Sequence, residues 1–110
     1  MLFETGRSVY APPLKFIYNL EGTGSHPVAM AVSVPKRLFK KAVDRNLIKR
    51  RIREAYRLNK NELYRVLSGR ELKINLVIQF QNQEISSFSV IENGLVQGIR
   101  KILHLLDESL

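Results

Sequence analysis

The chain has no cysteine, no tryptophan and only two histidines. It also lacks any apolar run approaching the roughly 20 residues that a membrane span needs. Without thiols there are no disulfide staples, thiolate metal sites or cysteine nucleophiles, which fits a reducing compartment. The N-terminus, MLFETGRSVY, has no basic flank before an apolar stretch and does not read as a secretion signal. A soluble cytoplasmic protein is the expectation. His26 lies in a loop-like segment and His104 near the C-terminus, and neither belongs to a local catalytic motif. The ten carboxylates are scattered, and Asp107 with Glu108 reads as a frayed tail rather than a metal site. No phosphate-loop glycine motif, serine elbow or zinc spacing is present. A protein-only nuclease would need one of these arrangements, so binding is favoured over hydrolysis by the chain itself.

Acidic residues are also scarce, ten against eighteen Lys and Arg, for a net charge of +8. The excess is local. Lys36 to Lys60 holds eleven basic residues against Asp44 and Glu54, while the remaining chain holds seven basic and eight acidic residues. A charge excess confined to one segment is the footprint of a polyanion partner, nucleic acid before membrane.

At 110 residues and 45% hydrophobic, the chain reads as a single domain over 1–110 with enough apolar surface for one core. LKFIYNL, Leu14 to Leu20, reads as a strand entered through Pro12 and Pro13. EGTGSHP, Glu21 to Pro27, has the composition of a reversing loop. VAMAVSV, Val28 to Val34, alternates large and small residues, predicting a strand with one bulky face and one closely approached face. Pro35 ends it. From about Ala42 the period becomes helical, with Ile48, Ile52, Ala55 and Tyr56 on one face. Tyr56 reads as a core residue with a wet hydroxyl. Asn59 to Gly69 predicts a broken or second short helix, with Gly69 as a left-handed cap. LKINLVIQF, Leu72 to Phe80, alternates as a strand, and Ser87 to Leu106 repeats Ile91, Leu95, Ile99, Ile102 and Leu106 at helical spacing. Strand, strand, helix, strand, helix describes a small α+β fold, a two-layer α/β sandwich.

At about 100° per residue, Arg45, Lys49, Arg53, Asn46, Arg57 and Arg50 fall within an arc of roughly 140°, beside the apolar stripe. Arg45, Lys49 and Arg53 are about 6 Å apart per step along the axis, comparable with phosphate spacing along a strand. Arginine forks grip phosphate oxygens in pairs, and Asn46 can donate to a base edge or a phosphate. An ordinary charge run is a solvated face. Here Glu54 alone interrupts the charges of that arc, so their repulsion is left without compensation inside the helix.

The segment KRLFKKAVDRNLIKRRIREAYR resembles the signature of the protein subunit of bacterial ribonuclease P, which runs roughly K-K-x-x-x-A-V-x-R-N-R-x-K-R-x-x-R-E. LFETGRSVYAPPLKFIYNL is similar to that family's first-helix end and first strand, with Phe3, Gly6, Ser8 and Tyr18 at matching positions. The resemblance implies a basic helix in a βαβ crossover of left hand, an exception to the usual right-handed rule. It also implies a protein that assists the catalytic RNA subunit in cleaving the 5′ leader from precursor tRNA, with Mg²⁺ bound mainly by the RNA. Carried over, Lys36, Arg37, Arg45, Asn46, Lys49, Arg50 and Arg53 would bind RNA, and Phe3 and Tyr18 would line a leader cleft between the sheet and the first helix. The third signature position is Leu47 here, so one expected charge is missing. The family has most of a helix before the position of Phe3, so part of that helix is expected to be lacking from 1–110.

Other readings remain beside it. A basic-helix nucleic-acid-binding protein unconnected with tRNA would share the same arc. A duplex reader presents a short turn and a second helix, whereas strands flank this one. A membrane-surface helix would need bulky apolar residues exposed opposite its charges, but Ile48 and Ile52 are better used in a core.

Overall fold

The computed structural model of the chain describes residues 6–21 and 27–109. Phe3 and His26 therefore lie outside the described residues. The elements run β1 (Arg7–Ala11), β2 (Leu14–Glu21), β3 (Val28–Ser33), α1 (Ala42–Asn59), α2 (Asn61–Gly69), β4 (Lys73–Phe80) and α3 (Phe88–Ser109). They form a four-stranded sheet of order β1-β2-β4-β3 with helices on one face. β4 is antiparallel to β2 and parallel to β3, so the path from β3 through α1 and α2 to β4 is a crossover connection. The α+β reading holds.

The period-two strands sort their side chains as alternation requires. Leu14, Phe16 and Tyr18 of β2 pair with Phe80, Ile78 and Leu76 of β4, and all six are buried on the helix side. Ile48, Ile52, Ala55 and Tyr56 of α1 meet them, together with Ile91, Leu95, Ile99, Ile102 and Leu106 of α3. Both helical stripes are those read from the sequence.

Four local expectations need correction. β1 is an additional strand, and Pro12 and Pro13, joined by a cis peptide, lead into β2 as expected but do so as the two-residue turn of the β1–β2 hairpin. Five residues with only Val9 and Ala11 buried give too short an alternation to announce that strand. Gly69 is the last residue of α2, and the left-handed position falls on Glu71, at φ 56°. Glu71 N–H donates to Ser68 O, and Leu72 N–H reaches back to Leu67 O at 3.0 Å, so the reversal closes two residues later than composition indicated. Ala29 and Ala31 are exposed, so the small-residue face of β3 is open rather than closely approached. The C-terminal helix is longer than expected and Asp107 is no frayed end: it accepts a 2.7 Å ion pair from Arg70, whose Nη1 also donates to Leu106 O.

α1 ends where Asn59 turns its amide back onto Ala55 O at 2.8 Å, taking up a carbonyl that faces the helix end, and also reaches Glu92 on α3 at 3.0 Å. The close seat of α3 on the sheet depends on two glycines one turn apart. A Cβ on Gly94 would stand 2.8 Å from Pro12 O in the hairpin turn, and one on Gly98 would overlap the Phe16 ring. Lys101 Nζ adds a 2.7 Å bond to Tyr10 O on β1.

Gly98→Ala separates propensity from packing. Helix propensity alone favours Ala by about 1 kcal/mol, whereas crowding a filled core costs about 1–3 kcal/mol. Phe16 is fully buried, and its ring would have to shift within the core. Urea unfolding should show a net loss of stability, and a gain would mean that α3 does not rest on this ring.

Candidate nucleic-acid interface

Burying Ile48, Ile52, Ala55 and Tyr56 turns the opposite edge of α1 to solvent and sorts its cations into two kinds. Some are spent on the fold. Arg45, half-buried, donates through Nη1 to Phe39 O at 2.8 Å and Lys40 O at 2.9 Å, folding the β3–α1 connection onto the helix start. Phe39 in turn packs on Phe80, with ring centroids 5.9 Å apart, so Arg45 secures that loop to the core. Arg51 lies outside the basic arc and donates to Ser86 O at 2.7 Å, clamping α1 to the segment before α3. Arg57 grips Glu54 through two bonds of 2.7 and 2.9 Å. That bond holds the Glu54 carboxyl below its usual range and raises the Arg57 guanidinium, so this cation of the arc is already neutralised.

The others are unpaired. Arg50, Arg53 and Asn46 are exposed and Lys49 is half-buried, and none makes a side-chain hydrogen bond or ion pair among the described residues. Lys36 and Arg37 are likewise exposed and unpaired on the connection that Arg45 holds against the start of α1. The seven sequence-predicted RNA contacts thus divide into six free polar heads and Arg45, which has a structural task as well.

Beside them, a groove opens between α1 and the start of α3, lined by Leu47, Arg50, Arg51, Arg53, Glu54, Arg57 and Phe88. Sequence reading missed Phe88 as a neighbour of the arc, because no periodicity along α1 reports what α3 brings to it. Tyr56 is buried as expected, and burial pushes its hydroxyl well above the usual tyrosine range; that hydroxyl lies 3.5 Å from the Tyr64 hydroxyl.

Tyr18, expected to line a cleft, is 2% exposed on the helix side of β2. Burial raises its pKa, against a smaller lowering by the Arg7 charge. A ring enclosed this way offers no face to a base, so Tyr18 is a core residue. The signal was available: Leu14, Phe16 and Tyr18 share one parity, and the matching letter alone said nothing about facing. No helix among the described residues covers the opposite face of the sheet. That face carries Tyr10, 54% exposed, with Lys15, Ile17, Val77, Gln79 and Lys73, and a buried Asn75, whose Nδ2 has no hydrogen-bond partner among the described residues.

His104 is exposed on α3, and among the described residues no three of His, Cys, Asp or Glu gather to hold a metal ion. No helix among them is long and apolar enough to cross a membrane.

The ribonuclease P family model matches residues 1–103. A ribonuclease P protein component from Porphyromonas gingivalis W83 is 36% identical over 104 residues, covering 92% of this chain and 74% of that protein. One from Chlorobaculum tepidum is 44% identical over 71 residues, 61% of this chain and 46% of that protein. The RNase P protein from Thermotoga maritima has the same fold, with a TM-score of 0.68 at 20% identity over 91% of this chain and 86% of that one. The Staphylococcus aureus RNase P protein gives 0.64 at 22% identity, over 92% and 84%. A match of this extent, on a chain with a cluster of unpaired cations along one helix, makes it a member of the ribonuclease P protein family, the RNA-binding protein component of the tRNA-processing enzyme.

Proposed function

We propose that this chain is the positioning half of a ribonucleoprotein endonuclease: it binds the catalytic RNA subunit and precursor tRNA, while the RNA cleaves the leader. The observation that carries this is the set of unpaired cations along α1 and its preceding loop. Lys49 and Arg53 are one turn apart, about 6 Å along the axis. They lie beside Arg50 and Asn46, with no acidic partner to lower their mutual repulsion. A phosphate backbone relieves that repulsion, releasing counterions as it does so.

Mg²⁺ held by the RNA would supply phosphate neutralisation and activation of a water in this scheme. The chain's own residues do not fit a cation site at the basic face, because Glu54 is held by Arg57 in a groove lined by four guanidiniums. The protein contributes charge and orientation, and no step is routed through its side chains.

The leader is assigned to the open face of the sheet. Tyr10 offers an aromatic surface for stacking with little sequence demand, and Lys15 and Lys73 supply charge. Phe3 belongs to this proposal only through the resemblance. Cytoplasmic residence follows from the site of the reaction proposed.

Three measurements test these roles. The protein freed of RNA should not cut precursor tRNA at the mature 5′ end, whereas a bacterial ribonuclease P RNA with Mg²⁺ and the protein should do so at low salt. Site-specific cleavage by rigorously RNA-free protein would overturn the positioning role. Salt titrations of RNA binding should lose up to about one phosphate contact from the slope for Arg53→Ala. Arg65→Ala, an exposed and unpaired change on α2, should leave the slope as it was. Equal losses would show a diffuse positive charge rather than a face. For the leader, Tyr10→Ala in the assembled enzyme should weaken precursor tRNA roughly fivefold or more while leaving mature tRNA nearly unchanged. A loss shared by both substrates would remove the open face from the leader path.

A further inference from the structure

Resting on the RNA-binding reading of α1, we propose that the groove between α1 and the start of α3 receives one unstacked nucleotide of single-stranded RNA. Its base lies against Leu47 and Phe88, and its phosphate on Arg50 and Arg53.

The lining has the two chemistries that a nucleotide combines. Leu47 and Phe88 are half-buried apolar side chains within a rim of guanidiniums. An aromatic ring beside a planar guanidinium stacks on any base, because every base has a π face. The neighbouring phosphate is then within reach of an arginine fork. Leu47 supplies an apolar wall among these guanidiniums.

The groove is also held open in advance. Arg51 fixes one side through its bond to Ser86 O, and Asn59 ties the far end of α1 to Glu92 on α3. Glu54 and Arg57 occupy each other. Arg50 and Arg53 are left, exposed and with no partner among the described residues. An acidic peptide would satisfy the same charges. RNA is favoured because Asn46 and Lys49, unpaired on the same helix just before Arg50, offer further contacts to a phosphate backbone that leaves the groove.

The absence of tryptophan allows a direct test in the full chain. Phe88→Trp creates a sole indole in the groove, to be titrated with a short oligoadenylate, a matched oligonucleotide without bases, and an acidic peptide of equal charge. Anisotropy of a labelled ligand reports binding anywhere, and indole quenching reports a base in the groove. Strong quenching by the oligoadenylate and little by the other two is the expected result. Phe88→Leu, which keeps an apolar packing group, should lower oligoadenylate affinity roughly fivefold or more. Thermal unfolding should remain cooperative in both variants. Binding with a normal salt slope but unchanged indole emission would overturn the nucleotide site and leave the RNA-binding reading standing. Equal quenching by the baseless oligonucleotide, or tighter binding by the peptide, would also overturn it. No RNA binding at low salt by the unaltered chain would bring down both.

Discussion

The burial of one apolar stripe on α1 governs the rest of the molecule. Ile48 and Ile52 are fully buried, and each contributes about 1.5–3 kcal/mol by leaving water. Repulsion between like charges one turn apart costs only a few tenths of a kcal/mol per pair. Burial therefore wins by a wide margin and fixes the rotation of the helix about its axis. The cations are then presented together on the opposite edge, whatever they cost one another. Their uncompensated field makes the helix useful to RNA, and that usefulness is the energetic counterpart of an unfavourable arrangement in the free protein.

Not every arginine of the segment belongs to that field. Arg45 and Arg51 are about half-buried and serve as long donors to backbone carbonyls outside the helix, in the connection just before α1 and in the segment before α3. These bonds hold the β3–α1 connection and the segment before α3, which frame the ends of the basic face. Arg45 makes both of its bonds through a single nitrogen, Nη1, at the end of a long side chain. The same residue type thus builds the platform at two positions and provides its free charge at two others, Arg50 and Arg53. The difference lies in what the neighbouring elements offer.

The sheet divides the molecule's functional surfaces. One side is closed by α1 and α3, with α3 drawn close over Gly94 and Gly98. The other side is left with small, amide and lysine side chains around Tyr10. Basic helix and open sheet face therefore look in different directions.

Much of this was legible in the order of residues. Periods of two and of 3.6 are local consequences of backbone geometry, so the long strands, the stripes Ile48/Ile52/Ala55/Tyr56 and Ile91/Leu95/Ile99/Ile102/Leu106, and the charged arc could all be read from spacing. The signature around Arg45 to Glu54 also named the family. Short or non-local features were not legible. β1 has too few residues to show a period and exists because β2 gives it an edge to pair with. The left-handed turn fell on Glu71 rather than Gly69, because the hydrogen bonds closing α2 outweighed glycine's conformational freedom. Tyr18 went into the core because its parity with Leu14 and Phe16 sets its direction, whatever its resemblance to a residue elsewhere. Phe88 joined the arginines only when α3 crossed α1. Spacing determines which side chains share a face; only packing between distant segments decides what that face meets, since that depends on contacts for which the sequence carries no periodic record.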